Sequence, residues 1–454
     1  MALKLEGYDG SGTFSHGIHP PERKAISKAA AIQALPTPEK VMLSLHQNIG
    51  GPSEAVVKPR QTVEWGELVA KSTGFVSTPL HASIAGVVQR PTRMTLSNGR
   101  HMDMIPIHAE GDMPTGRALW TEIFGGDWPV TGIEAYAPAD ISRAISAAGI
   151  VGMGGAAFPT HVKIMPNDQK PVETLIVNGC ECEPYLTADY RLMCEAPEPI
   201  ITGALLTAHC VGARRIVIGV EDNKVDAAEV LKRAAFGTPV KVVLLKTKYP
   251  QGSEKHLVQA VLKKQVPLGG LPADVGALVS NVGTMAAVAR AVIHGKPMTH
   301  RVISVTGGGI VNPANVLAPI GVSFGDLIDF CGGLRPDAVR LIAGGPMMGF
   351  AFSNPDTPVT KGTSGLTVLT RDEVRSGEET ACVRCGKCVD ACPMRLVPTK
   401  MAMAARHNDV ELARRYFVTA CFECGSCAYA CPARIPLVQL IRTGKAQVAA
   451  ADRK

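Results

Sequence analysis

Eight cysteines near the end of the chain fall into two copies of one motif, C-x-x-C-x-x-C-x-x-x-C-P. The copies place their cysteines at Cys382, Cys385, Cys388 and Cys392, and at Cys421, Cys424, Cys427 and Cys431. This is the bacterial ferredoxin spacing, in which the fourth cysteine of each run ligates the other [4Fe-4S] cluster. Three thiolates on one tight loop cap three corners of a cubane, so the fourth corner needs a ligand from elsewhere. The spacing therefore predicts that this region binds two clusters and transfers single electrons.

The same rule assigns the ligands. Cluster one takes Cys382, Cys385, Cys388 and Cys431, and cluster two takes Cys421, Cys424, Cys427 and Cys392. Zinc is the alternative metal, but zinc motifs usually present paired C-x-x-C knuckles rather than triplets with a distant fourth partner. Five further cysteines are scattered through the chain, and we interpret them as ordinary thiols.

The length and the charge exclude several classes of protein. A chain of 454 residues is long enough for three or four domains. The net charge of +7 comes with only 5% aromatic residues and no dense basic block, so we expect no nucleic-acid partner. Docking to an acidic electron carrier or to anionic lipid stays open. We find neither a secretory signal nor an apolar run of about 18 residues, which predicts a location in the cytoplasm or on the cytoplasmic face of a membrane.

The middle of the chain alternates helix-like and strand-like stretches between residues 138 and 296. Apolar runs at 174–177, 215–220 and 241–245 predict strands, while 140–148 and 225–235 have helical composition. Strands separated by helices indicate a parallel sheet with helices on its faces. Ligands of such sheets bind at the carboxyl ends of the strands.

Two loops in this region carry candidate binding residues. The first is the glycine-rich segment 152–159, followed by Lys163; bare N–H groups there could hold a phosphate or a flat ring, although a tight turn explains the glycines equally well. The second is Asn-Gly-Cys-Glu-Cys-Glu-Pro at 178–184, directly after a predicted strand. Its Asn and Glu side chains could hydrogen-bond a flavin edge or a ribose, and an acidic surface turn is the alternative.

Together these segments resemble a known family. The two loops, the segment YPQGSE at 249–254 and Asn-Val-Gly-Thr at 281–284 occur in the order seen in flavin-binding NADH dehydrogenase subunits of respiratory complex I. The doubled cluster motif and the opening segment GTFSHGIHPPERK, residues 12–24, are more similar to the C subunit of the Rnf electron-transport complex. The resemblance extends from about residue 10 to residue 440.

The resemblance implies roles for individual residues. The FMN would be bound by Gly152, Gly154, Gly155, Phe158, Lys163, Asn178, Asn281 and Thr284, the last two at its phosphate. The catalytic nicotinamide pocket would be bordered by Glu181, Glu183 and Glu254. This chain departs from complex I homologues at Met153, where they have Arg, and at Ser253, which replaces the first Glu of a Glu-Glu pair.

The flanking regions resemble two further modules. Residues 40–90 resemble a biotinyl/lipoyl-type β barrel, but the matching hairpin has no lysine between Ser77 and Val88, so we expect no swinging arm. The expected fold is a multidomain α/β protein. Its parts are an N-terminal region with the barrel (1–130), a Rossmann-like parallel α/β FMN/NADH domain (131–298), a β-grasp, SLBB-like module (299–351), a polar linker (352–376) and a helical ferredoxin-like domain with two [4Fe-4S] clusters (377–454).

The implied function is NADH oxidation within a membrane-bound Rnf complex, an ion-translocating NADH:ferredoxin oxidoreductase. FMN and two [4Fe-4S] clusters would be its cofactors, and NADH its substrate. Implied partners are the integral membrane and ferredoxin-like Rnf subunits, with ferredoxin or flavodoxin reached indirectly, and the implied location is peripheral, on the cytoplasmic face of the inner membrane. Two alternatives stay open: a non-enzymatic iron–sulfur conduit, and the diaphorase subunit of a soluble hydrogenase or formate dehydrogenase.

Overall fold

The N-terminal region consists of two small antiparallel sheets. The computed structural model describes residues 10–165, 169–374 and 377–453, so the ends of the predicted N-terminal region, linker and cluster domain at 1–9, 375–376 and 454 lie outside the described residues. The strands of the N-terminal region are β1 (Ile32–Ala34), β2 (Lys40–Ser44), β3 (Ser53–Ala55), β4 (Thr62–Val63), β5 (Leu68–Ser72), β6 (Leu80–His81), β7 (Gly86–Val88), β8 (Thr92–Thr95) and β9 (His101–Ala109). One sheet has the order β2-β9-β7-β4, with β8 paired to β9, and the other has the order β3-β5-β6.

The hairpin that would carry a prosthetic group in a lipoyl-type barrel is buried here. Ala82, Ser83 and Ile84, between β6 and β7, have no solvent exposure, and the Ser83 hydroxyl donates a hydrogen bond to the carbonyl of Ile320. Val41 and Ile107 of the barrel belong to the same hydrophobic core as residues of the next domain. The barrel is therefore a structural module packed onto its neighbours, as the missing lysine predicts.

The second region is built around a four-stranded parallel sheet. Its elements are α1 (Gly116–Phe124), α2 (Pro138–Ala147), α3 (Thr160–Lys163), β10 (Thr174–Gly179), α4 (Ala188–Glu195), α5 (Pro197–Val211), β11 (Arg215–Glu221), α6 (Val225–Ala234), β12 (Val240–Leu245), α7 (Glu254–Leu262), β13 (Ala277–Asn281) and α8 (Val282–His294). The sheet order is β12-β11-β10-β13, and every pairing is parallel. The three predicted strands and the two predicted helices are confirmed.

The register of this sheet brings two predicted loops together. β10 pairs with β13 so that Asn178 lies opposite Asn281 at the carboxyl end of both strands. Strand β13 was not predicted, because its apolar residues continue without a break into α8. Asn281 ends the strand and caps the helix, since its side chain accepts a hydrogen bond from the N–H of Gly283.

The third region is a mixed six-stranded sheet that takes strands from three parts of the chain. Its elements are β14 (His300–Thr306), β15 (Ala314–Pro319), α9 (Phe324–Phe330), β16 (Ala338–Ala343), β17 (Phe350–Phe352) and β18 (Gly365–Thr370). The order β1-β15-β14-β18-β16-β17 places β1, from the N-terminal region, on one edge.

The predicted linker at 352–376 is wrong for residues 365–370. These residues form β18, which is buried at all six positions and pairs in parallel with β14 at Ser304 and Gly365. A strand buried on both faces has no polar–apolar alternation. The Pro and Gly residues before this strand are typical of a loop, so the sequence predicts a linker there.

The last region is helical and contains the two cysteine runs. Its helices are α10 (Lys387–Asp390), α11 (Pro398–Arg406), α12 (Val410–Arg415), α13 (Ser426–Ala430) and α14 (Leu437–Ala451). The two runs repeat one backbone shape, because left-handed φ angles recur at Arg384 and Glu423, at Gly386 and Gly425, and at Arg395 and Arg434. Across the described ranges, no helix combines the length and the apolarity that crossing a bilayer requires.

The position of β18 can be tested by truncating one of its side chains. Leu366 is fully buried, so Leu366→Ala should destabilise the protein by about 2–5 kcal/mol through lost burial and the cavity left behind. The measurement is the midpoint of thermal or urea unfolding. Leu334→Ala is the matched control, because Leu334 is 45% exposed; equal midpoints for the two variants would mean that 365–370 is a linker after all.

Candidate iron–sulfur and flavin sites

The predicted ligands of cluster two surround one cavity. Four cysteines from both runs line a space of about 340 Å³ together with apolar side chains such as Met394, Leu396 and Ile441; they are Cys392, Cys421, Cys424 and Cys427. Burial chiefly, and then these neighbouring thiols, raise the pKa of Cys427. The fourth cysteine of the first run therefore lies with the triplet of the second run, which is the exchange that the spacing predicts.

The predicted ligands of cluster one are less enclosed. Cys388 and Cys431 are buried, whereas Cys382 and Cys385 are exposed. Burial chiefly raises the pKa of Cys388, and the Cys431 thiol adds a smaller increase. Both residues belong to one hydrophobic core. The exposed half of this site faces solvent in the isolated chain.

The surroundings of the cysteines suit an iron–sulfur cubane. The N–H of Leu396 donates to Cys392 Sγ at 3.4 Å, and the N–H of Glu423 donates to Cys421 Sγ at 3.3 Å. Such N–H···S bonds tune the potential of a cluster. Burial raises the pKa of Cys424 to about 11. Iron binds the thiolate, and its positive charge favours loss of the thiol proton. Within the described residues, no three His, Cys, Asp or Glu side chains converge closely enough to hold a single metal ion.

The glycine-rich loop lies over the start of α8. The N–H of Gly152 donates to the carbonyl of Phe158 and closes the loop, and the N–H of Met153 donates to Thr284 Oγ1 at 2.9 Å. Gly154 and Gly155 are exposed, and in the described part of the chain their N–H groups have no acceptor. Unpartnered N–H groups in an open loop can bind a phosphate or a flavin ring. This loop therefore has the donors that FMN needs.

The two asparagines hold the surrounding segments in place. Asn178 Nδ2 donates to the carbonyl of Gly252 at 2.8 Å, which ties the second loop to the YPQGSE segment. Asn281 Nδ2 donates to Asp189 Oδ2 at 2.6 Å. The structure thus brings together all the segments that the resemblance assigned to the flavin.

Lys163 and Glu254 form an ion pair with each other. The resemblance assigned Lys163 to the FMN and Glu254 to the nicotinamide pocket, so the two predicted sites meet at this pair. The carboxylate of Glu254 is 45% exposed and stays accessible to a ligand. Ser253, the departure from complex I, directly precedes α7 and hydrogen-bonds His256 Nδ1 at 3.1 Å.

Glu181 and Glu183 are occupied by contacts within the chain. Glu181 accepts from the N–H groups of Asp189 and Tyr190 at the start of α4, at 2.7 and 3.2 Å. Glu183 accepts from the N–H groups of Met347 and Met348, at 3.1 and 2.8 Å. Burial raises the pKa of each carboxyl to about 7. Each is therefore positioned by the fold, and each titrates close to neutral pH.

Lys24 organises this acidic loop and was missed by the sequence analysis. Its ammonium group is buried and donates to the carbonyls of Glu181, Glu183 and Leu186, at 2.7, 2.9 and 2.6 Å. The carboxylate of Glu181 lies 4.0 Å away. The only sequence signal was its place at the end of the opening segment, residues 12–24, which resembled the family without suggesting a role.

The cysteines predicted to bind cluster two lie directly against the flavin domain. The hydroxyl of Tyr249, a residue only 2% exposed, donates to the carbonyl of Cys424 at 2.7 Å. His256 Nε2 hydrogen-bonds the carbonyl of Pro393 at 3.2 Å, and its ring lies between Phe14 and Phe422. Contacts to both cysteine runs therefore start from the YPQGSE segment and α7, which border the predicted flavin site.

The opening segment spans the same joint. Ile18 exchanges two backbone hydrogen bonds of 2.9 Å with Tyr249. His16 Nδ1 lies 2.9 Å from the carbonyl of Asp390, and Arg395 donates to Ser15 Oγ at 2.9 Å. The segment thus connects the flavin domain to the loop that carries Cys392.

Four domain families match the chain in the order of its regions. They are the RnfC barrel sandwich hybrid domain over residues 12–112, the Nuo51 FMN-binding domain over 145–290, the SLBB domain over 302–351 and the 4Fe-4S dicluster domain over 376–432. These matches confirm the expected fold class and the two kinds of cofactor domain.

Whole-chain relatives agree with this order. The chain is 42% identical over 407 residues to the C subunit of the proton-translocating ferredoxin:NAD(+) oxidoreductase complex of Clostridium ljungdahlii, covering 89% of this chain and 87% of that one. It is 40% identical over 444 residues to the C subunit of the Na(+)-translocating ferredoxin:NAD(+) oxidoreductase complex of Acetobacterium woodii, covering 98% of each. Among solved structures, an NAD+-reducing [NiFe]-hydrogenase in the H2-reduced state has a TM-score of 0.52 at 18% identity, covering 75% of this chain and 69% of that one. This last likeness concerns the fold alone.

The exchange of ligands predicts an asymmetric result for single cysteine variants. Cys392 lies in the first run, but it lines the same cavity as Cys424 of the second run. Cys392→Ala should therefore abolish the cluster held by the second run. We expect iron to fall from about eight to about four per chain, with loss of the same electron paramagnetic resonance signal as in Cys424→Ala. Cys194→Ala, outside both runs, should keep the full iron content. If Cys392→Ala instead removed the signal lost in Cys388→Ala, the ligand assignment would be wrong.

Removing one hydroxyl tests the joint at cluster two. Tyr249→Phe keeps the ring but withdraws the hydrogen bond to the Cys424 carbonyl. Because that donor places positive charge near the cluster, its loss should lower the midpoint potential of cluster two and leave cluster one unchanged. Redox titration followed by electron paramagnetic resonance measures both potentials. Tyr136→Phe, in the segment between α1 and α2, serves as control, and an unshifted cluster two in Tyr249→Phe would contradict the assignment.

Proposed function

The chain belongs to the family of C subunits of ion-translocating ferredoxin:NAD(+) oxidoreductase complexes, the Rnf complexes, and from that premise we propose that it is the NADH-oxidising, electron-transferring subunit of such a complex. One observation carries the proposal. The flavin-type loops and cluster two are joined by direct contacts, above all by the hydrogen bond from Tyr249 to the Cys424 carbonyl. A protein built only to store electrons would not need a nucleotide-type loop at that position.

The cofactors would supply the redox chemistry. When bound, a flavin accepts two electrons as a hydride and returns them singly, and iron–sulfur cubanes carry single electrons. The chain's own residues would bind and orient these groups. The open N–H groups of Gly154 and Gly155 would hold the FMN, together with Gly152, Phe158, Lys163, Asn178, Asn281 and Thr284.

The acidic residues would form the nucleotide side of the site. Glu254 is half exposed and paired with Lys163, so it would be available to the ribose or amide of NADH. Glu183 would fix the loop at Met347 and Met348 over the same pocket. Glu181 would act more indirectly, since its carboxylate caps α4 and faces Lys24.

The partners would be the other subunits of the complex. Cluster one has two exposed ligands, Cys382 and Cys385, which offers a short electron-transfer route to a docked protein. We propose that integral membrane and ferredoxin-like subunits contact the chain, that ferredoxin or flavodoxin is reached through them, and that the chain is peripheral at the cytoplasmic face of the inner membrane. Co-purification with membrane subunits tests this arrangement against a soluble hydrogenase or formate dehydrogenase diaphorase.

The alternative of an iron–sulfur conduit makes a different prediction for flavin. Anaerobically purified protein should contain one FMN and about eight irons per chain, and it should reduce ferricyanide with NADH. Clusters without flavin, and without this activity, would make the chain a conduit.

An isosteric substitution that removes a carboxylate tests the proposed nucleotide pocket. Burial raises the pKa of Glu183 to about 7, so the assay is run above that pH, where the carboxylate that fixes the loop at Met347 and Met348 is charged. In Glu183→Gln, kcat/KM for NADH in the ferricyanide assay should fall about 10-fold to 100-fold, as expected for a lost charged hydrogen bond. Glu229→Gln is the control, because Glu229 is an exposed residue of α6 that pairs only with Lys232 among the described residues. Unchanged kcat/KM in Glu183→Gln would place the nicotinamide elsewhere.

A further inference from the structure

A second cavity lies along α8, away from the clusters. It encloses about 550 Å³, part of it open to solvent. One side is a face of α8 with helical spacing, comprising Gly283, Ala286, Ala287 and Arg290. The other sides are formed by the end of α1 and by the start of β14, including His300 and Arg301. None of its described lining residues is among those assigned above to FMN, NADH or the clusters.

Two buried arginines line this cavity, and neither forms a close ion pair. Arg290 is 6% exposed and Arg301 is 5% exposed. Each guanidinium donates through Nη1 to a backbone carbonyl, Arg290 to Pro297 and Arg301 to Lys361, while Nε of each has no hydrogen-bond partner. Among the described residues, no carboxylate lies within the 4.0 Å of an ion pair with either group.

The other charged groups around the cavity offset the arginine charges only in part. Burial lowers the pKa of Arg301 more than Asp189 raises it, and it lowers the pKa of Arg290 more than Glu122 raises it. Asp189 is the single carboxylate among the described lining residues; it accepts a hydrogen bond from Asn281, and burial raises its pKa. Lys296 adds a further positive charge, although it pairs with Glu122 at 3.1 Å. Burial lowers the pKa of His300 to about 3, so its ring is neutral.

Leaving a guanidinium buried and unpaired is costly. Burial lowers the pKa of Arg290 and of Arg301 only to about 10, so both remain charged at neutral pH. A buried charge is stable when a counter-charge and hydrogen bonds compensate it. The planar guanidinium, with several N–H donors, matches carboxylate and phosphate oxygens particularly well. The cavity therefore has the charge and the donors of an anion site.

We propose that this cavity binds a phosphate-type oxyanion between Arg290 and Arg301. Two sources share this chemistry. Met153 of the glycine-rich loop and Gly283 at the start of α8 line the same cavity, so the phosphate of a bound flavin nucleotide could reach it. The other source is free phosphate from solvent. Only the first source rests on the proposed function; the site itself does not.

The experiment measures stabilisation of the full, cluster-loaded chain by inorganic phosphate. Thermal unfolding is followed at constant ionic strength while phosphate replaces chloride, without added flavin. Binding to the folded state raises the unfolding midpoint as phosphate increases. We expect this response in the parent chain and at least a tenfold weaker apparent affinity in Arg290→Met and in Arg301→Met. Because each variant removes a buried charge whose burial outweighs the compensation by its neighbours, its midpoint without phosphate should equal or exceed that of the parent chain.

Two further variants make the result decisive. Arg143→Met removes an exposed arginine of α2 that pairs with Asp140, and it should keep the full phosphate response. Ala287→Glu places a carboxylate inside the cavity and should abolish the response in a folded protein even if the arginine variants do not fold. A parent chain with the same midpoint in phosphate and chloride, or a response that persists in Ala287→Glu, would overturn the proposal.

Repeating the titration with flavin assigns the source. If the FMN phosphate occupies the site, prior FMN binding removes the phosphate response, and Arg301→Met weakens binding of FMN at least tenfold but not that of riboflavin. If free phosphate is the ligand, the response persists with FMN bound. NADH–ferricyanide activity is measured on the same preparations. Its absence alongside an intact phosphate response would contradict the proposed function and leave the anion site standing.

Discussion

Each iron–sulfur loop of this protein is one ligand short, and the organisation of the C-terminal region follows from that shortage. Three thiolates on a tight loop leave one corner of a cubane open, so each run is predicted to supply its last cysteine to the other. Cys392 lies with the second triplet, and Cys431 and Cys388 belong to one hydrophobic core. This exchange fixes the two loops against each other, and α11, α12 and α14 pack around them in one hydrophobic core. The clusters are therefore part of the structure as well as its redox centres.

The contacts of cluster two with the rest of the molecule extend this arrangement to the flavin domain. Tyr249 and His256 reach the carbonyls of Cys424 and Pro393. The opening segment crosses the same joint, and its last residue, Lys24, holds the loop of Glu181 and Glu183. The hydrogen bonds of the opening segment thus connect the acidic loop with the cysteine-bearing loops. These hydrogen bonds fix the distance between the two kinds of cofactor site, and electron transfer depends on that distance.

The parts of the fold and of the sites that could be predicted are those with a signal in a short stretch of sequence. The cysteine spacing and the apolar runs of β10, β11 and β12 are local patterns, and the structure confirms the predicted strands. The ligand assignment stays a prediction, although Cys392 lies with the second triplet. The roles assigned to Gly152, Asn178 and the other flavin residues came from resemblance, and they stay predictions, although their segments converge. Lys24 and β18 have no local signal for their roles. A lysine among charged neighbours is typical of an exposed surface, and a strand buried on both faces lacks polar–apolar alternation. Only tertiary packing gives them their positions.

The edge strand β1 has a consequence for how the molecule is made. Residues 32–34 complete a sheet by pairing with residues 315–317, and the opening segment contacts residues 390 and 395. On the ribosome, which adds about 5–20 residues per second, the first thirty residues must therefore wait for almost the whole chain to emerge. The contacts of the opening segment with residues 390 and 395 can therefore form only after the first cysteine run has been synthesised.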